Sequence, residues 1–303
     1  MTIKKAKDKI FITTLSLFLL LVICSITNVY NDNSLKVNLE LEDITSLTNN
    51  SVYLLNKEGY LVKKKIFIDN VEMTEKIHKV LNYLKISNNS KYSSSLSGLI
   101  PADCVINDVY YDEFYVNLDF SKELLNANNL DLTVTSIVYS IMELGQIKGI
   151  SILIDGKPIE GYPYVLDKSM DINKETFITS REDISKVVIY YLLEDNDETY
   201  YVPVTKYLND SREKIAIIVD ELVSSTSTDL VSYVNSNVEL LDSREDNDTL
   251  ILNFNNFLFD NNDEVLEEVL YCISYSVFDN YDVEMVMVEV DGQNVGKIAK
   301  YGP

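Results

Sequence analysis

The segment from about Asn50 to Tyr162 recurs in order from about Ser185 to the C-terminus. At an offset of 138 residues, Tyr53-Leu54-Leu55 matches Tyr191-Leu192-Leu193, and Glu75-Lys76-Ile77 matches Glu213-Lys214-Ile215. At an offset of 136, Asn117 matches Asn253, and Ile137, Tyr139 and Ser140 match Ile273, Tyr275 and Ser276. Asp155-Gly156 matches Asp291-Gly292 at that same offset. Single identities of this kind arise by chance; ordered blocks across a whole module do not. A repeat of this length is a folding unit used twice, so both copies must be able to build the same core.

Each copy reads as strand, strand, helix, strand, strand, helix, strand. In the first copy, strands are predicted near 51–56 and 60–68, split by the hairpin signal Asn56-Lys57-Glu58-Gly59. A helix follows over 73–85, with Ile77, Val80, Leu81 and Leu84 on one face. The second copy repeats that face with Ile215, Ile218, Val219 and Leu222. Strands near 104–110 and 113–119 come next. A second helix near 131–144 presents Val134, Ile137 and Ile141, and its counterpart near 263–278 presents Leu270, Ile273 and Val277. The last strands, 149–155 and 284–290, end at Asp155-Gly156 and Asp291-Gly292, where Gly permits positive φ. The expected fold class is α+β: two tandem homologous modules, each a small, mainly antiparallel sheet packed with two helices, after an N-terminal membrane-anchor helix.

The expected order is a basic end and anchor or signal segment at 1–30, a tether at 31–49, one module at 50–162, a polar linker at 163–184 and the second module at 185–303. The anchor rests on Lys4, Lys5, Lys7 and Lys9 ahead of the uncharged run Ile10–Ile26. Its seventeen residues sit at the short end of what spans a bilayer. Basic flanks stay cytoplasmic, which puts the modules outside the cytoplasm. Three fates are open: a retained anchor, conventional cleavage near the weak Ser25-Ile26-Thr27 site, or lipidation of Cys24 after cleavage. Ile23 before that cysteine is a poor match to the small residue that lipidation requires.

Beyond residue 30 the chain carries 22 basic against 47 acidic side chains. So negative a surface repels nucleic acid and anionic headgroups, so no nucleic acid partner is expected. Cys24, Cys104 and Cys272 form no CxxC and occupy non-equivalent positions in the repeats, which predicts inert thiols rather than a disulfide or metal framework. The 21 tyrosines, with abundant Asn, Ile and Lys, suit an AT-rich coding sequence and need no binding surface to explain them.

Together these features resemble the GerM family of sporulation and spore-germination proteins, which carry tandem germane domains. Tyr201-Val202-Pro203-Val204-Thr205-Lys206 is similar to the family's second strand; the first copy, Leu61-Val62-Lys63-Lys64-Lys65, lacks the proline. Leu99-Ile100-Pro101 resembles the segment before the third strand, with no recognisable counterpart in the second copy, and Val116-Asn117-Leu118-Asp119-Phe120 resembles the fourth strand. Ser136–Ser140 and Gly149–Pro158 resemble the second helix and final strand. The resemblance implies a non-enzymatic assembly role in endospore formation. It also implies partners in a multiprotein channel between mother cell and forespore, and modules like the ring-building domains of secretion systems. Family members are often lipoproteins. The alternative is a peptidoglycan-binding or wall-remodelling protein acting in germination, suggested by location and abundant carboxylates.

No catalytic, cofactor-binding or metal-ligating residue is predicted. His78, the only histidine, lies on the first helix beside its apolar stripe, and Ala216 stands at its counterpart. Ser211 and Lys214 have the spacing of a Ser–Lys nucleophile, but Ser211 reads as a helix N-cap. The acidic loops Glu194–Glu198, Asp242–Asp248 and Asp260–Glu264 lack the Gly and Glu that an EF-hand needs. With nine glycines and no GxGxxG or Walker pattern, a nucleotide site is not expected.

Overall fold

The computed structural model describes residues 47–86, 95–145, 147–195, 198–224 and 229–301. The basic end, the apolar run 10–26, Cys24 and the tether up to residue 46 lie outside the described residues. Among those described, no helix is long and apolar enough to cross a membrane.

The first copy runs β1 (Leu47–Leu55), β2 (Leu61–Asp69), α1 (Met73–Tyr83), β3 (Ile106–Asp112), β4 (Tyr115–Phe120), a 3₁₀ turn, α2 (Leu130–Met142), β5 (Gly149–Ile154) and β6 (Lys157–Pro158). A short β7 (Glu175–Thr176) lies in the connector. The second copy runs β8 (Ile184–Asp195), β9 (Glu198–Asn209), α3 (Lys214–Val223), β10 (Leu240–Asp246), β11 (Thr249–Phe254), a 3₁₀ turn, α4 (Glu267–Phe278), β12 (Met285–Val290) and β13 (Gln293–Ala299). The architecture is the expected α+β repeat. Each copy closes with one strand more than the sequence pattern suggests. The reason lies at the Asp-Gly pairs: Asp155 and Gly156 have φ of 48° and 78°, and Asp291 and Gly292 have 48° and 80°. Two successive left-handed residues make a tight hairpin turn, not a strand end. In each copy, the turn glycine's N–H is taken up by a side chain one strand away, Asp119 for Gly156 and Asn253 for Gly292, both at 2.9 Å.

Each copy holds a four-stranded sheet, β3-β4-β5-β6 or β10-β11-β12-β13. Its two central strands are parallel and its outer pairings antiparallel. Two parallel neighbours need a crossover, and α2 and α4 provide it. Residues 133–141 of α2 are all buried, as an all-round apolar helix must be. The two serines on that helix let a strand approach closely. Ser136 Oγ donates to the carbonyl oxygen of Tyr53, and Ser140 Oγ accepts the Tyr53 N–H at 2.8 Å. Ser276 of α4 accepts the N–H of Tyr190 at the same distance.

The predicted stripes are buried as expected: Ile77, Val80 and Leu81 in α1 with Leu84 at its C-cap, and Ile215, Ile218, Val219 and Leu222 in α3. Each such aliphatic contributes about 1.5–3 kcal/mol on burial. On α4, Ile273 and Val277 are buried while Leu270 only half-packs; Val269 and Cys272 take its place in the core. That helix starts at Glu267, because Asp260 accepts the backbone N–H groups of Asn262 and Glu264 and holds the preceding residues in a turn.

The structure corrects the alignment of the copies by a residue or two. The matching serine bonds make Tyr53 equivalent to Tyr190, not Tyr191. The carbonyls of Phe120 and Phe254 receive the N–H groups of Asp155 and Asp291, which aligns Asn253 with Asp119 rather than Asn117. The Leu99-Ile100-Pro101 segment also has a counterpart: Ser97 bridges Leu55 as Val231 bridges Leu192. Backbone pairing survives there without any shared motif.

Candidate functional site at the junction of the repeats

The β1-β2 and β8-β9 hairpins form one sheet, in which β2 of the first copy pairs antiparallel with β9 of the second at Lys63 and Tyr201. In that register Leu61 stands opposite Pro203. Proline has no N–H to give a ladder, and Asn173 of the connector fills the gap. Its Oδ1 accepts the Leu61 N–H at 2.8 Å, and its Nδ2 donates to the carbonyls of Leu61 and Pro203 at 2.8 and 2.7 Å. Asn173 holds a φ of 44°, a conformation that asparagine tolerates better than most residues. Beside it, Ile172 and Thr205 exchange two further bonds of 2.8 and 2.9 Å. The segment read as a polar linker is thus partly a structural strap, with Leu166 and Ile172 in the interior.

Between the copies lies a buried polar cluster with approximate two-fold symmetry. The hydroxyls of Tyr53 and Tyr190 are 2.8 Å apart. The Tyr53 hydroxyl lies 3.1 Å from Glu143 and the Tyr190 hydroxyl 2.7 Å from Asp279, so the two phenol hydrogens serve three contacts, and the hydroxyl that gives its hydrogen to the other withholds it from its own carboxylate. Glu143 and Asp279 occupy equivalent C-caps of α2 and α4. Lys168 of the connector ties the halves together, reaching Glu143 at 2.7 Å and Asp279 at 2.8 Å. Lys63 breaks the symmetry: it is paired with Glu143 at 2.7 Å, sits 3.9 Å from the centre of the Tyr275 ring, and has only 7% of its side chain exposed.

Two ammonium groups against two carboxylates leave the cluster neutral, which is what allows it to be buried. Burial alone would raise the Glu143 carboxyl, but Lys168 and Lys63 outweigh it and hold the group well below the usual carboxylate range. Burial would lower Lys168, yet Asp279 and Glu143 hold it well above the usual lysine range. For Lys63 burial wins, and its pKa is lowered despite Glu143. Tyr53 and Tyr190 are pushed up, by burial first and by Glu143 and Asp279 respectively. The shifts of Glu143, Lys168, Tyr53 and Tyr190 favour their present charge states, while that of Lys63 works against its charge.

Above the cluster opens a cleft of about 970 Å³, lined by both copies and the connector. Six of the chain's 26 basic residues line it, against five of its 48 acidic ones.

The residues singled out in the sequence lie elsewhere. His78 is half-buried on α1. Ser211 is exposed and caps nothing: α3 begins after Glu213, with no side-chain cap. Cys104 and Cys272 are free and buried. Among the described residues, no group of three or more His, Cys, Asp or Glu is placed to hold a metal. The junction leaves traces in the sequence. Lys63 stands where the second copy has a proline, inside an apolar strand, and Lys168 sits in the connector. Tyr53, Tyr139, Tyr190 and Tyr275 do more than reflect coding composition: their rings pack at this junction, Tyr53 on Tyr139 and Tyr190 on Tyr275, each at 5.3 Å between centres.

The Germane family model, described as sporulation and spore germination, matches residues 51–160 and 188–296. The chain is 28% identical over 274 residues to the spore germination protein GerM of Bacillus subtilis (strain 168), covering 84% of this chain and 74% of that protein. Its fold matches the solved tandem GerMN domains of the sporulation protein GerM from Bacillus subtilis with a TM-score of 0.73, at 24% identity, over 84% of this chain and 97% of that one.

Proposed function

The chain belongs to the Germane family of sporulation and spore germination, and from that premise we propose that it is a membrane-anchored, extracytoplasmic assembly protein of endospore formation and germination that catalyses no reaction. The observation that carries this reading is the junction. A shared sheet and a neutral buried charge cluster join the two modules into one body of fixed geometry, which is what a scaffold presenting two surfaces to its partners requires. The basic end and apolar run at 1–30 anchor it, and residues 31–49 tether the modules at 50–162 and 185–303 on the outer side. The partners are proteins of a channel complex between mother cell and forespore, docking on exposed helix faces and sheet edges.

The test is affinity capture of tagged full-length protein from sporulating cells, read by mass spectrometry. Recovery of channel components is expected, and it should be lost when the anchor is deleted. Recovery of the protein alone, together with normal sporulation and germination in a deletion strain, would overturn the proposal.

A further inference from the structure

The cleft between the repeats is unlike the rest of the molecule electrostatically. Its lining carries six lysines and five acids in a chain of net charge −22. The floor is internally compensated, since Lys63 and Lys168 are consumed by Glu143 and Asp279. The mouth is not. Lys148, Lys214 and Lys300 make no ion pair among the described residues, and neither do Asp282 and Glu284 on the same rim. Cations and anions that ignore one another around a cleft of about 970 Å³ are placed for a third party bearing both signs. That volume suits a ligand of drug size.

The lining also selects the class. It contains no arginine and no glycine. Two common holders of a phosphate, a guanidinium fork and a glycine-rich nest of backbone N–H groups, are missing from it, which leaves only lysines. The unpaired rim carboxylates would repel a polyanion. Ammonium groups beside carboxylates, with Phe114, Tyr275 and Tyr301 supplying apolar walls, match instead a compact chain with a carboxylate, an amino group and apolar side chains. We propose that the cleft binds a short peptide, its carboxylate on Lys148, Lys214 and Lys300 and its amino group on Asp282 and Glu284. The site draws on both repeats and so exists only while the junction is intact. It does not depend on the assembly role.

Isothermal titration of the full-length chain in mild detergent tests this, with three probes: the tetrapeptide Ala-Glu-Lys-Ala with free ends, the same peptide with both ends blocked, and inorganic phosphate. Saturable binding of the free peptide is expected, weakened by about tenfold or more (about 1.4 kcal/mol) in the double variant Lys148→Gln/Lys214→Gln. Both lysines are exposed, so unchanged melting of the variant verifies its fold. Equal binding of the blocked peptide or of phosphate, binding indifferent to the double variant, or no heat with any probe would each overturn the proposal.

Discussion

The side chain of Asn173 donates to the carbonyl oxygen of Pro203 at 2.7 Å, at the place where proline leaves β9 with no N–H to offer β2. A connector residue therefore completes a ladder between two repeats. Asn173→Ala removes three hydrogen bonds and puts alanine at a φ of 44°. The expected loss is about 2–4 kcal/mol of unfolding free energy, measured by denaturant titration. Asn173→Gly loses the same bonds but not the conformational strain, and should recover about 1 kcal/mol of that loss.

Lys168→Met leaves Glu143 paired with Lys63 and leaves Asp279 with no ion-pair partner among the described residues. Breaking a buried pair costs about 3–5 kcal/mol, and the 22% exposure of the Lys168 side chain brings the expectation down to about 2–3 kcal/mol. Adding Asp279→Asn should restore part of it. A double-mutant cycle reads the coupling, and a coupling near zero would mean the two groups act independently.

Acid should loosen the structure. Burial would raise the carboxyl of Asp171, but Lys174, Lys186 and the Tyr207 hydroxyl outweigh it and bring it to about 2. Glu143 is likewise held low against burial by Lys168 and Lys63. Both groups titrate lower in the folded than in the unfolded chain. Their contribution is therefore complete above about pH 5 and is lost as pH falls through about 4 towards 2. Melting temperature should fall steeply over that range. The fall should be shallower in Asp171→Asn, by an amount equivalent to about 2 kcal/mol between the ends of the range.

Gly98 packs against the end of α1. A Cβ there would lie 2.4 Å from the carbonyl oxygen of Leu84 and 2.6 Å from that of Lys85, both backbone atoms that cannot swing aside. The Leu84 carbonyl is held in place, since it accepts the N–H groups of Leu99 and Ile100. Gly98→Ala should destabilise by about 2–3 kcal/mol in thermal or chemical unfolding.

Cys104 and Cys272 are buried, and burial pushes both thiols up. A thiol-specific chromogenic reagent should label neither in the native protein and both after denaturation. Rapid native labelling of Cys272 would show that the α4 core opens readily.

Most of the fold was legible because its signals are periodic and local. The stripes Ile77–Leu84 and Ile215–Leu222 and the Asp-Gly turns each report on a few neighbouring residues, and the duplication lets one copy check the other. The junction was not legible, because it joins residues far apart in the chain. Tyr53 meets Tyr190 across 137 positions, and Lys168 reaches Asp279 across 111. Nothing local to a lysine in a connector says which carboxylates it will bridge. The alignment slipped where equivalent backbone roles are filled by different side chains, as at Ser97 and Val231. Sequence identity is a poor guide where only the main chain is constrained.

The pairing of β2 with β9 is a pairing of equivalent strands, and the Tyr53–Tyr190 contact is one of equivalent side chains. This is the symmetry of an isologous homodimer, carried within a single polypeptide. In a true dimer, every substitution falls on both sides of the axis at once. Fusing the subunits removes that restriction, and Lys63 facing the second copy while Pro203 occupies the matching position is a difference that only a covalent pair can sustain. The fused pair thus keeps the geometry of a symmetric dimer while its two halves are free to be unequal.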